Sequence, residues 1–140
     1  MSDPRNAVSL AGVGYEAETF LIDDSTVTYD ATQVNGSAQV GLAVTLSAAN
    51  TVALAGSGEA VLGKLISVSA DDKAVVQTGG YVTLPGGTSA TLTVGTKIVG
   101  DLLVSAKGYI QSVSSEVVGR GMIIDASTTT AVVVRLECAS

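Results

Sequence analysis

Apolar and polar or small side chains alternate along much of this sequence, and this period of two constrains the fold more than any other feature. Every second residue of segment 39–47 is apolar, and these residues are Val40, Leu42, Val44 and Leu46. Segment 132–136 repeats the pattern, with Arg135 on the opposite face. Such alternation is typical of half-buried β-strands, whereas a helix would lose propensity at each glycine and β-branched residue. The pattern therefore predicts strands.

Turn residues separate the remaining strand candidates. Further segments fit a strand, and they are residues 15–22, 26–29, 51–55, 59–70, 74–78, 81–84, 91–94, 102–106, 109–113 and 117–124. Asn35-Gly36 tolerates positive φ and predicts a tight hairpin, while Gly79-Gly80 predicts a break between strands. Turn signals recur about every 8–12 residues. We therefore predict an all-β fold, a small antiparallel β-barrel or β-sandwich with an extended N-terminal arm.

The start of the chain differs from the rest. Residues 1–12 show little alternation and contain one of the two prolines. We predict that they form an arm, either a frayed terminus or a segment that orders only on a partner, and that residues 13–140 form one β domain. The longest apolar runs, such as 131–134, are far shorter than the roughly 20 residues of a membrane-spanning helix. Residues 1–6 lack the pattern of a secretory signal, so we expect a chain made in a cytoplasm, with no membrane partner.

The composition excludes several classes of function. Seven Lys and Arg residues against thirteen Asp and Glu residues give a net charge of −6, which is unsuited to a track for nucleic-acid phosphates. The sequence has no histidine, so a histidine base or metal ligand is impossible. A single cysteine, Cys138, excludes an internal disulfide framework and a multi-cysteine zinc site. We predict no nucleic-acid partner.

The acidic residues and glycines do not form a recognisable catalytic or cofactor motif. Asp23-Asp24 and Asp71-Asp72 are adjacent carboxylates, but calcium needs about six to eight oxygens at patterned spacing. We interpret both pairs as turn residues that accept hydrogen bonds from backbone N–H groups. Segment 58–65 has the glycine and lysine spacing of a phosphate-binding loop, but a leucine stands where the hydroxyl is required. We predict a protein that is not an enzyme and has no cofactor or metal.

The low charge of the chain predicts subunit contacts. Only 14% of the residues are charged, against about 25–35% recommended for the surface of a soluble monomer. Val, Ala, Thr and Gly instead occupy positions on the alternating strands where charge would normally face water. Interfaces of obligate oligomers are more apolar and less charged than free surface. We therefore expect a closed homo-oligomer.

Several segments resemble a known family. The stretch 63–85, which contains Ser-Ala-Asp-Asp-Lys and Thr-Gly-Gly-Tyr-Val, is similar to part of the small capsid decoration, or cement, proteins of tailed bacteriophages. The order of strands and glycine turns fits in later segments as well, namely 93–99, 108–110, 118–125 and 131–136. The resemblance covers about residues 59–137.

The resemblance implies a non-enzymatic virion protein. Proteins of this family form trimers, sit on the outer surface of the capsid where capsomers meet, and hold neighbouring major capsid proteins together against the pressure of packaged DNA. It therefore implies a homotrimer that binds the major capsid protein on the outer capsid surface. An alternative interpretation is a head-fibre, spike-base or adhesin-like module that recognises a host surface or a glycan.

Under the capsid hypothesis, two groups of residues are predicted to make contacts. The first is the arm, with the candidate capsid contacts Ser2, Asp3, Pro4, Arg5, Asn6, Val8 and Leu10. The second comprises two predicted loop tips that face the capsid or the solvent, around Asp71, Asp72 and Lys73 and around Pro85 and Gly86.

Overall fold

A computed structural model of the chain describes residues 15–88, 92–113 and 119–136. This part of the chain contains nine β-strands, a short 3-10 helix at Val34–Gly36 and no α-helix. The strands are β1 (Glu16–Ile22), β2 (Ala43–Ala48), β3 (Thr51–Leu54), β4 (Gly63–Val68), β5 (Lys73–Leu84), β6 (Lys97–Leu103), β7 (Ala106–Val113), β8 (Met122–Asp125) and β9 (Val132–Leu136). The predicted all-β fold is confirmed, whereas the predicted arm at 1–12 lies outside the described residues.

Five strands close into a barrel. The hydrogen-bonded order is β1-β3-β2-β4-β5, and β5 pairs with β1 to complete the ring. All pairs are antiparallel except β1–β3, in which Leu21 lies opposite Thr51. A parallel pair requires a long crossover connection, and residues 23–42 together with β2 provide it. The predicted barrel is confirmed, but its sheet is mixed rather than purely antiparallel.

The longest strand, β5, joins this barrel to a second group of strands. Its first part pairs with β1 and β4, while Gly80–Leu84 pairs with β9, which in turn pairs with β8. The β6–β7 hairpin closes a second ring through two single bridges, Gly86 with Ile110 and Ile98 with Arg120. The predicted break at Gly79-Gly80 is therefore wrong, because β5 continues through both glycines.

Each ring encloses its own hydrophobic core. The barrel core includes the fully buried side chains Val27, Val44, Val52, Leu65 and Val76. The second core includes the fully buried Leu84, Ile98, Ile110, Ile123, Val132 and Val134. Burying one such side chain stabilises a fold by roughly 1.5–3 kcal/mol. Ala43, the first residue of β2, and Ala55, which follows β3, pack into the second core, so the barrel strands contribute side chains to both cores.

Three strand predictions are wrong for physical reasons. Residues 26–29 form no strand because Val27 inserts into the barrel core from a loop and the Thr26 hydroxyl accepts a hydrogen bond from the Leu54 N–H, at 3.1 Å. Segment 102–106 is not one strand, because it contains the end of β6, the turn at residues 104 and 105, and the first residue of β7. Residues 92–94 form a loop, while residue 91 lies outside the described part.

Asn35-Gly36 adopts the positive φ values that the sequence predicts, but it does not form the predicted hairpin. Both residues have positive φ, 58° and 83°. They belong to the 3-10 helix within the β1–β2 connection and join no hairpin. Gly36 is required there because a Cβ would overlap the carbonyl oxygen of Val68.

Candidate interaction sites

The predicted arm contacts lie outside the described residues. They are Ser2, Asp3, Pro4, Arg5, Asn6, Val8 and Leu10. The described part of the chain begins at Tyr15, immediately before β1. The contact surfaces that follow therefore concern the two β rings alone.

Asp71 and Asp72, together with Lys73 at the start of β5, form an exposed turn after β4, which we call the acidic tip. Asp72 has a φ of 60°, and the Ser69 N–H donates to the Lys73 carbonyl oxygen at 2.8 Å. The Lys73 ammonium lies 3.7 Å from an Asp71 carboxylate oxygen, and both side chains are more than half exposed. Exposed ion pairs of this kind are worth about 0–1 kcal/mol. The charges of the acidic tip are therefore accessible to a partner at little cost to the fold.

Pro85 and Gly86 do not form an exposed tip. Both are half-buried, and the Gly86 N–H donates to the Thr129 carbonyl oxygen at 2.8 Å. The Ile110 N–H donates to the Pro85 carbonyl oxygen at 3.0 Å. Proline does end β5, as the sequence predicts, but the glycines that follow allow the backbone to run along β7. A Cβ on Gly87 would overlap the Asp101 carboxylate, which shows how closely the segment packs.

The hairpin turn between β6 and β7 is a site that the sequence does not reveal. We call Leu103, Val104 and Ser105 the β6–β7 tip. Val104 has a φ of 61° and is 84% exposed, while Leu103 is 42% exposed. Of the common two-residue hairpin turns, type II′ has positive φ at its first central residue alone, and glycine normally occupies that position. A β-branched residue with positive φ is a genuine outlier, and here it also presents an apolar side chain to solvent.

The β6–β7 tip is held in this strained conformation by a neighbouring segment. The Val104 N–H donates to the Thr88 hydroxyl at 2.5 Å. The Thr88 N–H donates in turn to the Leu102 carbonyl oxygen at 2.7 Å. Strain of this kind persists only where the surrounding structure determines it, and it is concentrated at binding and switch sites. The tip is therefore a preorganised apolar projection.

Asp101 is a buried acid that sequence analysis did not single out. It lies on β6, is 3% exposed, and its Oδ2 atom has no hydrogen-bond partner among the described residues. The adjacent residue, Gly100, faces Gly56, whose carbonyl oxygen a Cβ would overlap. Glycine and aspartate are both typical of turns, and this explains why the sequence does not predict a strand that begins at Lys97. Close packing on both faces fixes this strand in place.

A guanidinium group connects the two rings. The Arg120 side chain donates hydrogen bonds to the carbonyl oxygens of Leu62, which precedes β4, and of Thr78 on β5. Its backbone pairs with Ile98 on β6. Thr78 is 4% exposed, and within the described ranges its hydroxyl has no hydrogen-bond partner. Arg120 therefore joins β5, β6 and the entry to β4 at one point.

Four aspartates accept hydrogen bonds from nearby Ser or Thr residues, and these bonds lower the pKa of each. The carboxylates of Asp23, Asp30 and Asp125 accept from Ser25, Thr32 and Ser127, two residues further along the chain, and that of Asp71 accepts from the Ser69 hydroxyl. Asp23 accepts a hydrogen bond from the Ser25 backbone N–H, as predicted, whereas the bond to Asp71 comes from the Ser69 hydroxyl. Burial lowers the pKa of the half-buried Lys64 ammonium on β4.

The described ranges contain no group of three or more His, Cys, Asp or Glu residues placed to hold a metal ion. Within the same ranges there is no helix of the length and apolarity that crossing a membrane would require. Comparison with protein-family models gives no match, and comparison with curated proteins gives none either.

Proposed function

We propose that this chain is a non-enzymatic structural protein of a tailed-phage virion, which binds the outside of the capsid and holds neighbouring major capsid proteins together. The proposal combines the resemblance of residues 59–137 to capsid decoration proteins with the surface properties described above. It includes the homotrimer that the resemblance implies. The strained, apolar β6–β7 tip is the single observation that supports it most strongly.

The β6–β7 tip has the properties of a docking element. Val104 combines two costs, positive φ in a β-branched residue and exposure of an apolar side chain. The hydrogen bond to the Thr88 hydroxyl holds the strained conformation, and burial against a partner would offset the exposure of the apolar side chain. Because the Thr88 hydroxyl already holds the turn, docking loses little conformational entropy. A partner with an apolar pocket on its surface fits this tip.

The rigidity of the fold also supports a clamping role. Two packed cores share the continuous strand β5, and Arg120 adds a connection between the rings. A rigid body that bridges two capsid subunits resists their separation, and many such contacts repeated over a shell give strong avidity. The net charge of −6 keeps the protein from competing for the packaged DNA.

The test is addition of the purified protein to capsids assembled without it from the major capsid protein of the same phage. We expect the protein to sediment as a trimer, to bind the capsids saturably and to raise the temperature at which they break open. A monomer that does not bind these capsids would overturn the proposal. Binding to host cells or to glycans instead would favour the alternative of a receptor-binding module.

A further inference from the structure

The proposed capsid function makes no use of the chemistry of Asn35-Gly36. An asparagine that precedes glycine is the site most prone to spontaneous deamidation, because glycine has no side chain to hinder attack by its backbone nitrogen. Asn35 is exposed and Gly36 is half-buried. The other two asparagines, Asn6 and Asn50, do not precede a glycine. In the unfolded chain, this reaction is therefore expected to be fastest at Asn35.

Deamidation requires one particular geometry of the reacting residues. The Gly36 nitrogen attacks the side-chain carbonyl carbon of Asn35 and forms a C–N bond, while the side-chain nitrogen leaves as ammonia with the proton that Gly36 loses. Water then opens the succinimide ring at one of its two carbonyl groups and gives aspartate or isoaspartate. Since the five-membered ring contains Cβ of Asn35, ring closure needs the Gly36 nitrogen and this Cβ on the same side of the Cα–C bond.

The folded conformation of Asn35 does not have this geometry. Its φ is 58° and its ψ is 20°. A ψ near zero places the Gly36 nitrogen close to eclipsing the backbone nitrogen of Asn35, so the attacking atom is turned away from Cβ. The Gly36 N–H also donates to the Gln33 carbonyl oxygen at 3.2 Å. Attack therefore needs both a large rotation about the Cα–C bond and the loss of this hydrogen bond.

Neighbouring contacts hold residues 30–36, which we call the asparagine turn, in this conformation. The Asp30 N–H donates to the Gly36 carbonyl oxygen at 2.8 Å. The Asp30 carboxylate accepts hydrogen bonds from the Thr32 N–H at 2.9 Å and from the Thr32 hydroxyl at 2.6 Å. A Cβ on Gly36 would overlap the carbonyl oxygen of Val68, so the glycine packs tightly against the end of β4. The asparagine turn must therefore open before the reaction can proceed.

We propose that Asn35 is a deamidation site controlled by the asparagine turn. The closed turn suppresses the reaction, and isoaspartate that forms while the turn is open prevents it from closing again. Isoaspartate carries the chain through its former side chain and so adds one methylene group to the backbone. In a closely packed segment this added length displaces Gly36 from its contacts with Val68 and Asp30. Aspartate adds no backbone atom, so a turn that contains it closes as before.

The test is incubation of the full chain at mildly alkaline pH, both folded and unfolded in urea, followed by peptide mapping with mass spectrometry. Asn35 should deamidate at least about 10-fold more slowly in the folded protein, because only the open fraction of molecules reacts. Asn50 is an internal control, since it is also exposed and has a φ of 55°, but it precedes the β-branched Thr51. In the unfolded chain it should react more slowly than Asn35.

Two matched variants show whether the asparagine turn itself must open. Asp30→Ala removes the acceptor of both Thr32 hydrogen bonds, so deamidation of Asn35 in the folded protein should accelerate by about 10-fold. Asp125→Ala removes a similar acceptor in the second ring, where the Ser127 N–H donates at 2.9 Å. This control should leave the rate at Asn35 unchanged.

Amide hydrogen exchange, measured by NMR, compares the two products. In the isoaspartyl form, separated by chromatography, the Gly36 amide should exchange at least about 10-fold faster than in the unaltered protein, because the turn stays open. In Asn35→Asp, which represents the other product, this amide should exchange at the rate of the unaltered protein.

Four results would overturn this proposal. Asn35 could deamidate equally fast in the folded and the unfolded chain, or fail to react in the unfolded chain. Asp30→Ala and Asp125→Ala could change the rate at Asn35 equally, which would mean that opening of the asparagine turn is not required. The Gly36 amide of the isoaspartyl form could exchange as slowly as in the unaltered protein. All of these measurements use the free protein, so the capsid function can fail without affecting them.

Discussion

The guanidinium group of Arg120 donates a hydrogen bond to the backbone carbonyl oxygen of Thr78, in the middle of β5. A second bond from the same group reaches the carbonyl oxygen of Leu62. Thr78 lies next to Gly79-Gly80, where β5 passes from the barrel into the second ring. Arg120 therefore satisfies backbone groups at the junction on which the double-ring architecture depends.

Replacing this arginine should destabilise the protein strongly. Arg120→Met keeps the apolar stem but removes the donors, so two part-buried carbonyls lose their partner. Since an orphaned buried acceptor costs about 1–3 kcal/mol, we expect a loss of about 2–4 kcal/mol in the free energy of unfolding. Urea titration measures it. The control Arg135→Met, at an exposed position, should change stability by less than about 0.5 kcal/mol. Equal effects of the two substitutions would contradict the role of Arg120.

Relieving the strain at the β6–β7 tip should stabilise the free protein. In Val104→Gly the positive φ no longer costs about 1–2 kcal/mol, and this gain exceeds the entropy cost of glycine, about 0.5–1 kcal/mol. We expect a net gain of up to about 1.5 kcal/mol. The matched variant is Val34→Gly, since Val34 is 81% exposed but has no positive φ. It should lose stability. A loss in both variants would mean that Val104 is not strained.

Close packing of β6 should make Gly100 intolerant of any side chain. A Cβ at this position would overlap the carbonyl oxygen of Gly56, a backbone atom that cannot move aside cheaply. We expect Gly100→Ala to cost about 3 kcal/mol, at the upper end of overpacking effects. At Gly95 an added Cβ would meet no atom of the described chain within 4 Å, so Gly95→Ala suffers from its φ of 89° and should cost about 1 kcal/mol. Thermal unfolding measures the loss of stability in each variant. Equal losses would contradict a steric clash at Gly100.

The aspartate turns should make stability fall in acid. The pKa of Asp30 lies below its ordinary value of 3.8, chiefly because the Thr32 hydroxyl donates to the carboxylate. A lowered pKa in the folded state contributes stability above the unfolded value, and this contribution disappears as pH falls through the folded pKa. In Thr32→Val the pKa of Asp30 should rise toward 3.8 while that of Asp125 stays unchanged. An NMR titration of the side-chain carboxyl groups measures both. An unchanged pKa of Asp30 would contradict the assigned hydrogen bond.

The sequence predicts those strands whose apolar residues alternate without interruption. Segment 132–136 corresponds to β9, which buries Val132, Val134 and Leu136 and exposes Arg135. Segment 51–55 corresponds to β3 without such alternation, because Val52, Ala53 and Leu54 are all buried. Alternation does not predict a strand where packing against distant parts of the chain overrides the turn preference of the local residues. Gly79-Gly80 has the composition of a turn but continues β5, and Gly100-Asp101 lies within β6 because another backbone approaches from each side.

The sites were less predictable than the strands. The acidic tip follows from local turn chemistry, so Asp71 and Asp72 could be placed on a loop from sequence alone. Val104 could not, since no sequence rule puts valine at a position that favours glycine, and its conformation depends on the distant Thr88. Arg120 likewise reaches carbonyls 58 and 42 residues away in the chain. Such long-range contacts leave no local pattern.

Attachment of tip variants to undecorated capsids tests whether this protein is a capsid clamp that docks through the β6–β7 tip. Val104→Asp places a charge on the tip, and Val34→Asp places the same charge at a matched exposed valine far along the chain. We expect the unaltered protein and Val34→Asp to bind equally, and Val104→Asp to bind at least about 10-fold more weakly, since burying an unpaired carboxylate costs more than 1.4 kcal/mol. Circular dichroism confirms that both variants are folded. If all three proteins bind equally, or if none of them binds the capsids, the β6–β7 tip does not have this function.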